Sequence, residues 1–315
     1  MKHLIVTTYP FGTTSDEPLQ KLEKISDMGY TCSLNDLKRK YTTNELKNRL
    51  RTLQPEIIIA GTENYTADIL DLVPGLKMIS RVGIGLDSVD LRECQKRNIR
   101  VTNTPGAPTN AVAELTLCQL LNMVRRVPHT SRDMLESKWN RYIGNELRNI
   151  TVGVVGTGRT GSSLVSKLVS LGVGEVLITD IDKKIQKDVA KKFGVKESSK
   201  NEIFSTSSIV SLHIPLDNNF GYVDSQVLCM MKPGSGIINM SRGGIIDESA
   251  LCSWLKSNLN NVAAIDTFTN EPYYGELNNL PNAYVTPHLG SCTFASRYAM
   301  EVGSANNVID FLEDQ

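Results

Sequence analysis

Long apolar runs are missing from this 315-residue chain. Nothing in it approaches the roughly 20 consecutive apolar residues that a membrane helix needs, so a helical span is excluded. A charge of one sign is missing too. Lys plus Arg and Asp plus Glu number 34 each, which leaves no basic field for nucleic acid or an anionic lipid surface. Cysteines are few and scattered, at 32, 94, 118, 229, 252 and 292. No Cys-x-x-Cys pair occurs and no histidine lies at zinc-ligand spacing, so no metal site is expected. These thiols read as reduced and mostly buried, and the opening "MKHLIVTTYP" has too short an apolar part for a signal peptide, so a cytoplasmic protein is expected. Histidine is scarce as well. Only His3, His129, His213 and His288 are available for acid or base chemistry near neutral pH. Short-period repeats, low-complexity tracts and charge blocks are all absent.

What is present is an alternation. Short β-branched runs ("LIVTT", "TCSL", "EIIIAG", "LKMISRVG") take turns with helix-period segments ("PLQKLEKISDMG", "NELKNRLRTL", "ADILDLV"). That pattern predicts an open parallel sheet covered by helices. Residues 103–127 differ in kind, because a Pro/Gly-rich lead passes into a long apolar helix with Ala113, Leu117, Leu120, Leu121 and Val124 on overlapping faces. The stretch reads as a crossing between domains. A second series starts at "ITVGVV" and continues with strands near 176–180, 208–213, 236–240, 262–266 and 283–286. The tail from about 293 reads as one amphipathic helix returning to the first domain. The fold class is therefore α/β with two doubly wound parallel-sheet domains, the first comprising 1–102 plus 290–315 and the second 103–289.

Within "VGVVGTGRTGSSLVSKLVSLGVGEVLITD" stand Gly156, Gly158 and Gly161, directly after a strand and opening a helix whose Leu164, Leu168 and Leu171 form one face. The three glycines meet three different demands. Gly156 makes the tight turn, Gly158 lets backbone approach a pyrophosphate, and Gly161 lets helix and strand pack closely. Arg159 and Thr160 lie between them, in the first turn that faces the phosphates. Asp180 ends the next strand, where a carboxylate can accept from both hydroxyls of an adenosine ribose and repel the 2′-phosphate of NADP. S-adenosylmethionine binding uses a similar loop and a similar acid, and the loop by itself does not separate the two. The separation comes from reacting groups downstream.

Three stretches supply them: "INMSRGGIIDESAL" with Arg242, "AIDTFTNEPYYG" with Glu271 and "VTPHLGS" with His288. Each follows a strand of the second series, at the edge where open parallel sheets bind ligands. A 2-oxo acid that is to be reduced by hydride needs a cation for its carboxylate and carbonyl, and a proton donor for its oxygen. Arginine offers the planar fork and histidine the proton. A carboxylate touching the imidazole favours the protonated ring and fixes its orientation.

Taken together, "SRVGIGLDSVDL", "NTPGAPTNAVAELTL", "VGVVGTGRTG", "HIPL", "NMSRGGIIDESAL", "DTFTNEP" and "TPHLGSCT" resemble the D-isomer-specific 2-hydroxyacid dehydrogenase family in order and spacing, across nearly the whole chain. The resemblance implies a Rossmann NAD domain and a flavodoxin-like substrate domain, an active site in the cleft between them, and a homodimer formed through the cofactor domain. It implies Arg242, Glu271 and His288 as the catalytic set. It also places Asp266 at the nicotinamide carboxamide, His213 and Pro215 on the adenine side, Thr109 among the cofactor contacts, and the backbone of Gly83 and Ile84 as a nest for the substrate carboxylate. Trp139 resembles an aromatic that some relatives lend to a neighbouring subunit, although a lone helical tryptophan is more often a packing residue.

The substrate is left with two readings. Arg81 matches a substrate-contacting arginine of the phosphoglycerate dehydrogenases in this family and favours D-3-phosphoglycerate. Ala60 stands where those enzymes carry another arginine, with Glu63 nearby, and this departure favours an unphosphorylated acid, as in a glyoxylate or hydroxypyruvate reductase. Formate oxidation is disfavoured, because the formate enzymes resemble a version with glutamine in place of Glu271. A rival of another class is an NAD-sensing corepressor-like binding protein, which would keep the same motifs.

Overall fold

The computed structural model describes residues 2–314 and divides into two compact units, Met1–Pro108 with Ser291–Gln315, and Thr109–Gly290. The first unit begins β1 (Lys2–Val6), α1 (Glu17–Asp27), β2 (Tyr30–Ser33), α2 (Thr43–Leu53), β3 (Ile57–Ala60), α3 (Ala67–Leu70), β4 (Met78–Arg81), α4 (Leu91–Lys96) and β5 (Arg100–Thr102). The second unit runs α5 (Thr109–Arg125), α6 (Val127–Leu135), β6 (Thr151–Val155), α7 (Arg159–Ser170), β7 (Glu175–Thr179), α8 (Lys183–Phe193), β8 (Lys196–Glu197), α9 (Lys200–Thr206), β9 (Ile209–Leu212), α10 (Ser225–Met230), β10 (Gly236–Asn239), α11 (Glu248–Ser257), β11 (Val262–Ile265) and β12 (Ala283–Val285). The last helix, α12 (Phe294–Glu313), belongs to the first unit.

Both sheets are parallel throughout. The first has the order β2-β1-β3-β4-β5 and the second β12-β11-β10-β9-β6-β7-β8. The first order is the flavodoxin-like one, with its switch point between β1 and β3; the second is a doubly wound Rossmann order, with its switch point between β6 and β9. Central strands are apolar on both sides because helices cover both faces. Thus β3 buries Ile57, Ile58, Ile59 and Ala60, and β9 buries Ile209, Val210, Ser211 and Leu212.

α12 returns to the first unit for a physical reason. Met300, Ala305, Val308 and Ile309 join the cluster formed by Leu4, Val6, Ile57, Ile59 and Met78, and Ser80 donates to the Ser304 carbonyl at 2.8 Å. Residues 103–108 group with the same unit, since Thr104 accepts from the Gly83 N–H at 3.0 Å and Asn307 donates to the Asn103 carbonyl at 3.1 Å.

Some expected faces differ in detail. On α7 the buried residues are Gly161, Leu164, Val165 and Leu168, whereas Leu171 is the C-cap and lies exposed. On α5, Ala113, Leu120 and Val124 are buried with Met123, but Leu121 points outward. No disulfide joins the six cysteines, and the expectation that they are mostly buried fails for half of them. Cys94 and Cys252 are buried, while Cys118, Cys229 and Cys292 are exposed on outer helix faces and a loop. Among the described residues no helix is long and apolar enough to cross a membrane, and no cluster of three or more His, Cys, Asp or Glu side chains could hold a metal.

Candidate active site

At the Rossmann switch point the glycine loop is shaped by three separate constraints. Gly156 has φ +89°, and a Cβ there would stand 2.4 Å from the His213 carbonyl oxygen. A Cβ on Gly161 would stand 1.9 Å from the Gly156 oxygen. A Cβ on Gly158 would meet nothing within 4 Å, so the space beside that residue is open to a ligand. α8, α9, α10 and α11 each begin with a side-chain cap, from Asp182, Ser199, Asp224 and Asp247 respectively. α7 does not: Gly158 is its N-cap and no side chain accepts from its first turn, which carries Arg159 and Thr160. Those N–H groups and the positive end of the helix dipole are left for an anion.

Asp180 lies directly past β7 and is half-buried. Its Oδ2 accepts from the Thr157 N–H at 2.6 Å and the Thr157 hydroxyl at 3.0 Å, and its Oδ1 accepts from the Asp182 N–H at 3.0 Å. A carboxylate offers about four acceptor positions, so capacity for a ribose hydroxyl persists. The pyrophosphate cradle and this acid fit a dinucleotide.

His213 follows β9 and shares a 2.8 Å hydrogen bond between its Nε2 and the Ser211 hydroxyl. Burial pushes its ring down to about 4, so it is neutral at physiological pH and unsuited to protonate anything there. Pro215 is exposed two residues on, and the Thr109 hydroxyl at the start of α5 is buried with no partner among the described residues.

The three candidate reacting groups leave adjacent strands: Arg242 after β10, Glu271 after β11 and His288 after β12. Glu271 and His288 meet. His288 Nδ1 is 2.8 Å from Glu271 Oε2, and Glu271 Oε1 accepts from the Phe268 N–H at 3.0 Å. The pair is partly open, with side-chain exposures of 44% for the imidazole and 35% for the carboxylate, so the ring is reachable from solvent. The carboxylate holds Nδ1 and so fixes the orientation of the ring. Arg242 is half-buried and donates to the Ser241 carbonyl at 2.7 Å, while Asn239 donates to the Arg242 carbonyl at 2.8 Å and so ties the arginine's backbone to the end of β10.

His288 has φ +53°, a left-handed conformation that costs a non-glycine residue about 1–2 kcal/mol. Asp266 maintains it. This carboxyl is completely buried at the end of β11. Its Oδ1 accepts from the Thr286 hydroxyl and, at 2.7 Å, from the Leu289 N–H; its Oδ2 accepts from the Gly290 N–H at 2.8 Å. The loop from 286 to 290 therefore closes around one carboxyl, with His288 at its apex. Burial pushes Asp266 above the ordinary carboxylate range, while the donors from Thr286, Leu289 and Gly290 pull it back. Thr286, Thr157, Ser211 and the Phe268 N–H are not singled out by the sequence pattern. The two threonines could have been found by their place, one just past a strand and the other inside the glycine loop.

In the first unit, Arg81 ends β4 and donates to the Val82 carbonyl. Gly83 has φ +141° and lies under the guanidinium, since a Cβ there would be 2.9 Å from Arg81 Nη1. Its N–H is directed at the Thr104 hydroxyl and the Arg81 carbonyl, both at 3.0 Å. The Ile84 N–H has no acceptor among the described residues. Trp139 is 80% exposed, which sets it apart from a packing residue.

Residues 117–290 match the family model described as D-isomer specific 2-hydroxyacid dehydrogenase, NAD binding domain. The chain is 31% identical over 270 residues to a glyoxylate reductase of Thermococcus litoralis, covering 82% of this chain and 81% of that one. It is 30% identical over 271 residues to a D-3-phosphoglycerate dehydrogenase of Bacillus subtilis, covering 85% of this chain but 51% of the relative, so it spans about half the length of that enzyme. Among solved structures, the TT0316 protein from Thermus thermophilus superposes with a TM-score of 0.85 at 28% identity, over 99% of this chain and 97% of that one. The chain belongs to the D-isomer-specific 2-hydroxyacid dehydrogenase family, NAD-dependent oxidoreductases that act on the CH–OH group of a 2-hydroxy acid.

Proposed function

We propose that this chain interconverts a small 2-oxo acid and its D-2-hydroxy acid, with His288 as acid/base, Glu271 as its partner and Arg242 as the cation for the substrate. The 2.8 Å contact between His288 Nδ1 and Glu271 Oε2 carries the reading. NADH, when bound, supplies the hydride that adds to the carbonyl carbon. As that carbon–oxygen double bond opens, His288 passes its Nε2 proton to the oxygen, and Glu271 stabilises the ring while it is charged. Arg242 draws charge toward the substrate's carboxylate and carbonyl. In oxidation the same ring takes the proton back.

The NAD(H) contacts we assign are Gly156, Gly158, Arg159, Thr160, Gly161, Asp180, His213, Pro215, Asp266 and Thr109. Arg81, Gly83 and Ile84 receive the substrate carboxylate, with the Ile84 N–H as the available donor. The names of the relatives leave two candidates, a phosphorylated acid such as D-3-phosphoglycerate and a short unphosphorylated one such as glyoxylate. We also propose a homodimer through the cofactor unit. Val127, Met134, Leu135, Trp139 and Ile143 are all exposed along α6 and the segment after it, an apolar stretch that water alone would leave costly. The six scattered cysteines support a reducing, cytoplasmic setting.

The test is turnover. Purified protein with NADH and a panel of glyoxylate, pyruvate, hydroxypyruvate and phosphohydroxypyruvate is expected to consume NADH with at least one of them. NADH bound but consumed with none would replace this reading with that of an NAD-sensing binding protein.

A further inference from the structure

Glu63 is a carboxylate that the reaction above does not use, and the fold buries it where a ligand is expected. In a sheet of order β2-β1-β3-β4-β5 the switch point lies between β1 and β3, and ligands bind outside the carboxyl ends of the strands there. Thr7 is the first residue past β1, and Glu63 comes three residues past the end of β3. Glu63 is only 3% exposed. Its one hydrogen-bond donor among the described residues is the Thr7 hydroxyl, 3.0 Å from Oε2.

Thr7 is held by two further partners. The Thr7 oxygen accepts from the Gly61 N–H at 3.1 Å and lies 2.8 Å from the hydroxyl of Tyr65, a completely buried phenol. A threonine hydroxyl has one proton to give. An ionised carboxylate can only accept, so that proton goes to Glu63 and the Tyr65 phenol is left to donate to the Thr7 oxygen. Gly61 also makes room: a Cβ there would sit 2.7 Å from Glu63 Oε2 and 3.0 Å from the Thr8 backbone. The bond from Thr7 occupies Oε2, and a carboxylate offers about four acceptor positions, so Oε1 can accept from a ligand but repels an anion.

The neighbouring loop is tied to this one. Tyr65 bridges Val89, its N–H donates to the Ser88 carbonyl at 2.7 Å, and Asp90 donates back to the Tyr65 carbonyl at 3.0 Å. Ala60 and Arg81 are paired across β3 and β4, so the Arg81–Ile84 turn and the Gly61–Tyr65 turn stand side by side on one sheet edge. A substrate carboxylate at Ile84 would leave the rest of the molecule beside these two turns, and Glu63 is the buried carboxyl on the Gly61–Tyr65 side.

We propose that Glu63 is the specificity-determining residue for the substrate's third carbon, accepting a hydrogen bond from a hydroxyl on it and excluding a phosphoryl group or a second carboxylate. The substrate class is then a 2-oxo acid with an unmodified 3-hydroxyl, of which hydroxypyruvate is the simplest probe. This inference rests on the dehydrogenase reading above. It is tested by steady-state NADH oxidation with hydroxypyruvate, pyruvate, phosphohydroxypyruvate and glyoxylate, on the unmutated chain and on Glu63→Gln. The unmutated chain is expected to prefer hydroxypyruvate over pyruvate and over phosphohydroxypyruvate by at least about ten-fold in kcat/KM. In Glu63→Gln the ratio of hydroxypyruvate to glyoxylate, which has no third carbon, falls by about ten-fold, and discrimination against the phosphorylated acid relaxes. A purely structural Glu63 would lower all four acids in parallel and leave the ratios unmoved, which overturns the proposal. A preference of the unmutated chain for phosphohydroxypyruvate overturns it whatever the variant does. Turnover of none of the four acids removes the dehydrogenase reading, and this inference with it.

Discussion

Replacing Gly243 with alanine tests whether the arginine loop and the glutamate loop must touch. Gly243 follows Arg242 directly, and its φ lies outside the left-handed region, so alanine adds no backbone strain of its own. The obstacle is steric. A Cβ would lie 2.0 Å from both the carbonyl carbon and the oxygen of Phe268 and 2.4 Å from the Thr269 nitrogen. Ordinary contacts begin at 3.4 Å, so the two loops must part by about 1.4 Å. Backbone meets backbone here, and no flexible side chain can swing aside. Phe268 is also the residue whose N–H holds Glu271 Oε1, so the parting carries Arg242 away from the Glu271–His288 pair. A displacement of about 1 Å at reacting groups costs on the order of 100-fold in rate, and overpacking of this kind costs about 1–3 kcal/mol of stability. The expected result is a folded protein whose melting temperature drops by about 2–4 °C per kcal/mol, with kcat down by about two orders of magnitude and NADH affinity close to unchanged. The last point follows from distance in the sheet, because the glycine loop leaves β6, on the far side of β9 from β10. Calorimetry, initial rates and NADH fluorescence titration read the three quantities. Full kcat in a variant with an unshifted melting temperature would refute the close approach and the role given to Arg242.

Gly158→Ala is expected to change stability by less than about 0.5 kcal/mol, because its Cβ meets nothing, yet to weaken NADH by about ten-fold or more by blocking the pyrophosphate; unaltered affinity in a calorimetric titration would move the phosphates elsewhere. Gly161→Ala, with its Cβ 1.9 Å from the Gly156 oxygen, should instead lower the melting temperature before any ligand is added. His213 is held at about 4 by burial, against about 6.5 unfolded, so between those values the unfolded chain binds more protons and stability falls as pH drops. That amounts to about 2 kcal/mol between pH 7 and pH 5, and urea unfolding of His213→Asn at the two pH values should show that part of the loss gone; an identical loss in both proteins would mean the ring is not buried neutral. Glu271→Gln removes the carboxylate 2.8 Å from His288 Nδ1, so kcat should fall by about 100-fold with NADH affinity nearly unchanged, and full kcat in the variant would count against the pairing.

How far the sequence can be read depends on whether a feature is set by near neighbours or by distant ones. Strands such as β3 and β6 are legible because burial on both faces demands unbroken apolar runs. β5 and β8 are not: β5 has one exposed and two half-buried residues, and both residues of β8 are exposed, so neither shows an apolar run. The glycine loop is legible because each glycine answers a constraint within one strand–turn–helix unit, and the constraints reappear as contacts of 2.4 Å, 1.9 Å and none at all. Asp266 shows the limit. In sequence it is a strand-end acid matched to the cofactor. In the structure both its oxygens hold a loop that begins 20 residues later, and nothing local announces that closure. Without it, His288 would have no reason to stay at φ +53°, and its Nδ1 would not face Glu271. His288, the acid/base we propose, is thus oriented twice, through its ring by Glu271 and through its backbone by Asp266, and only the first of these is visible as a pattern of residue types.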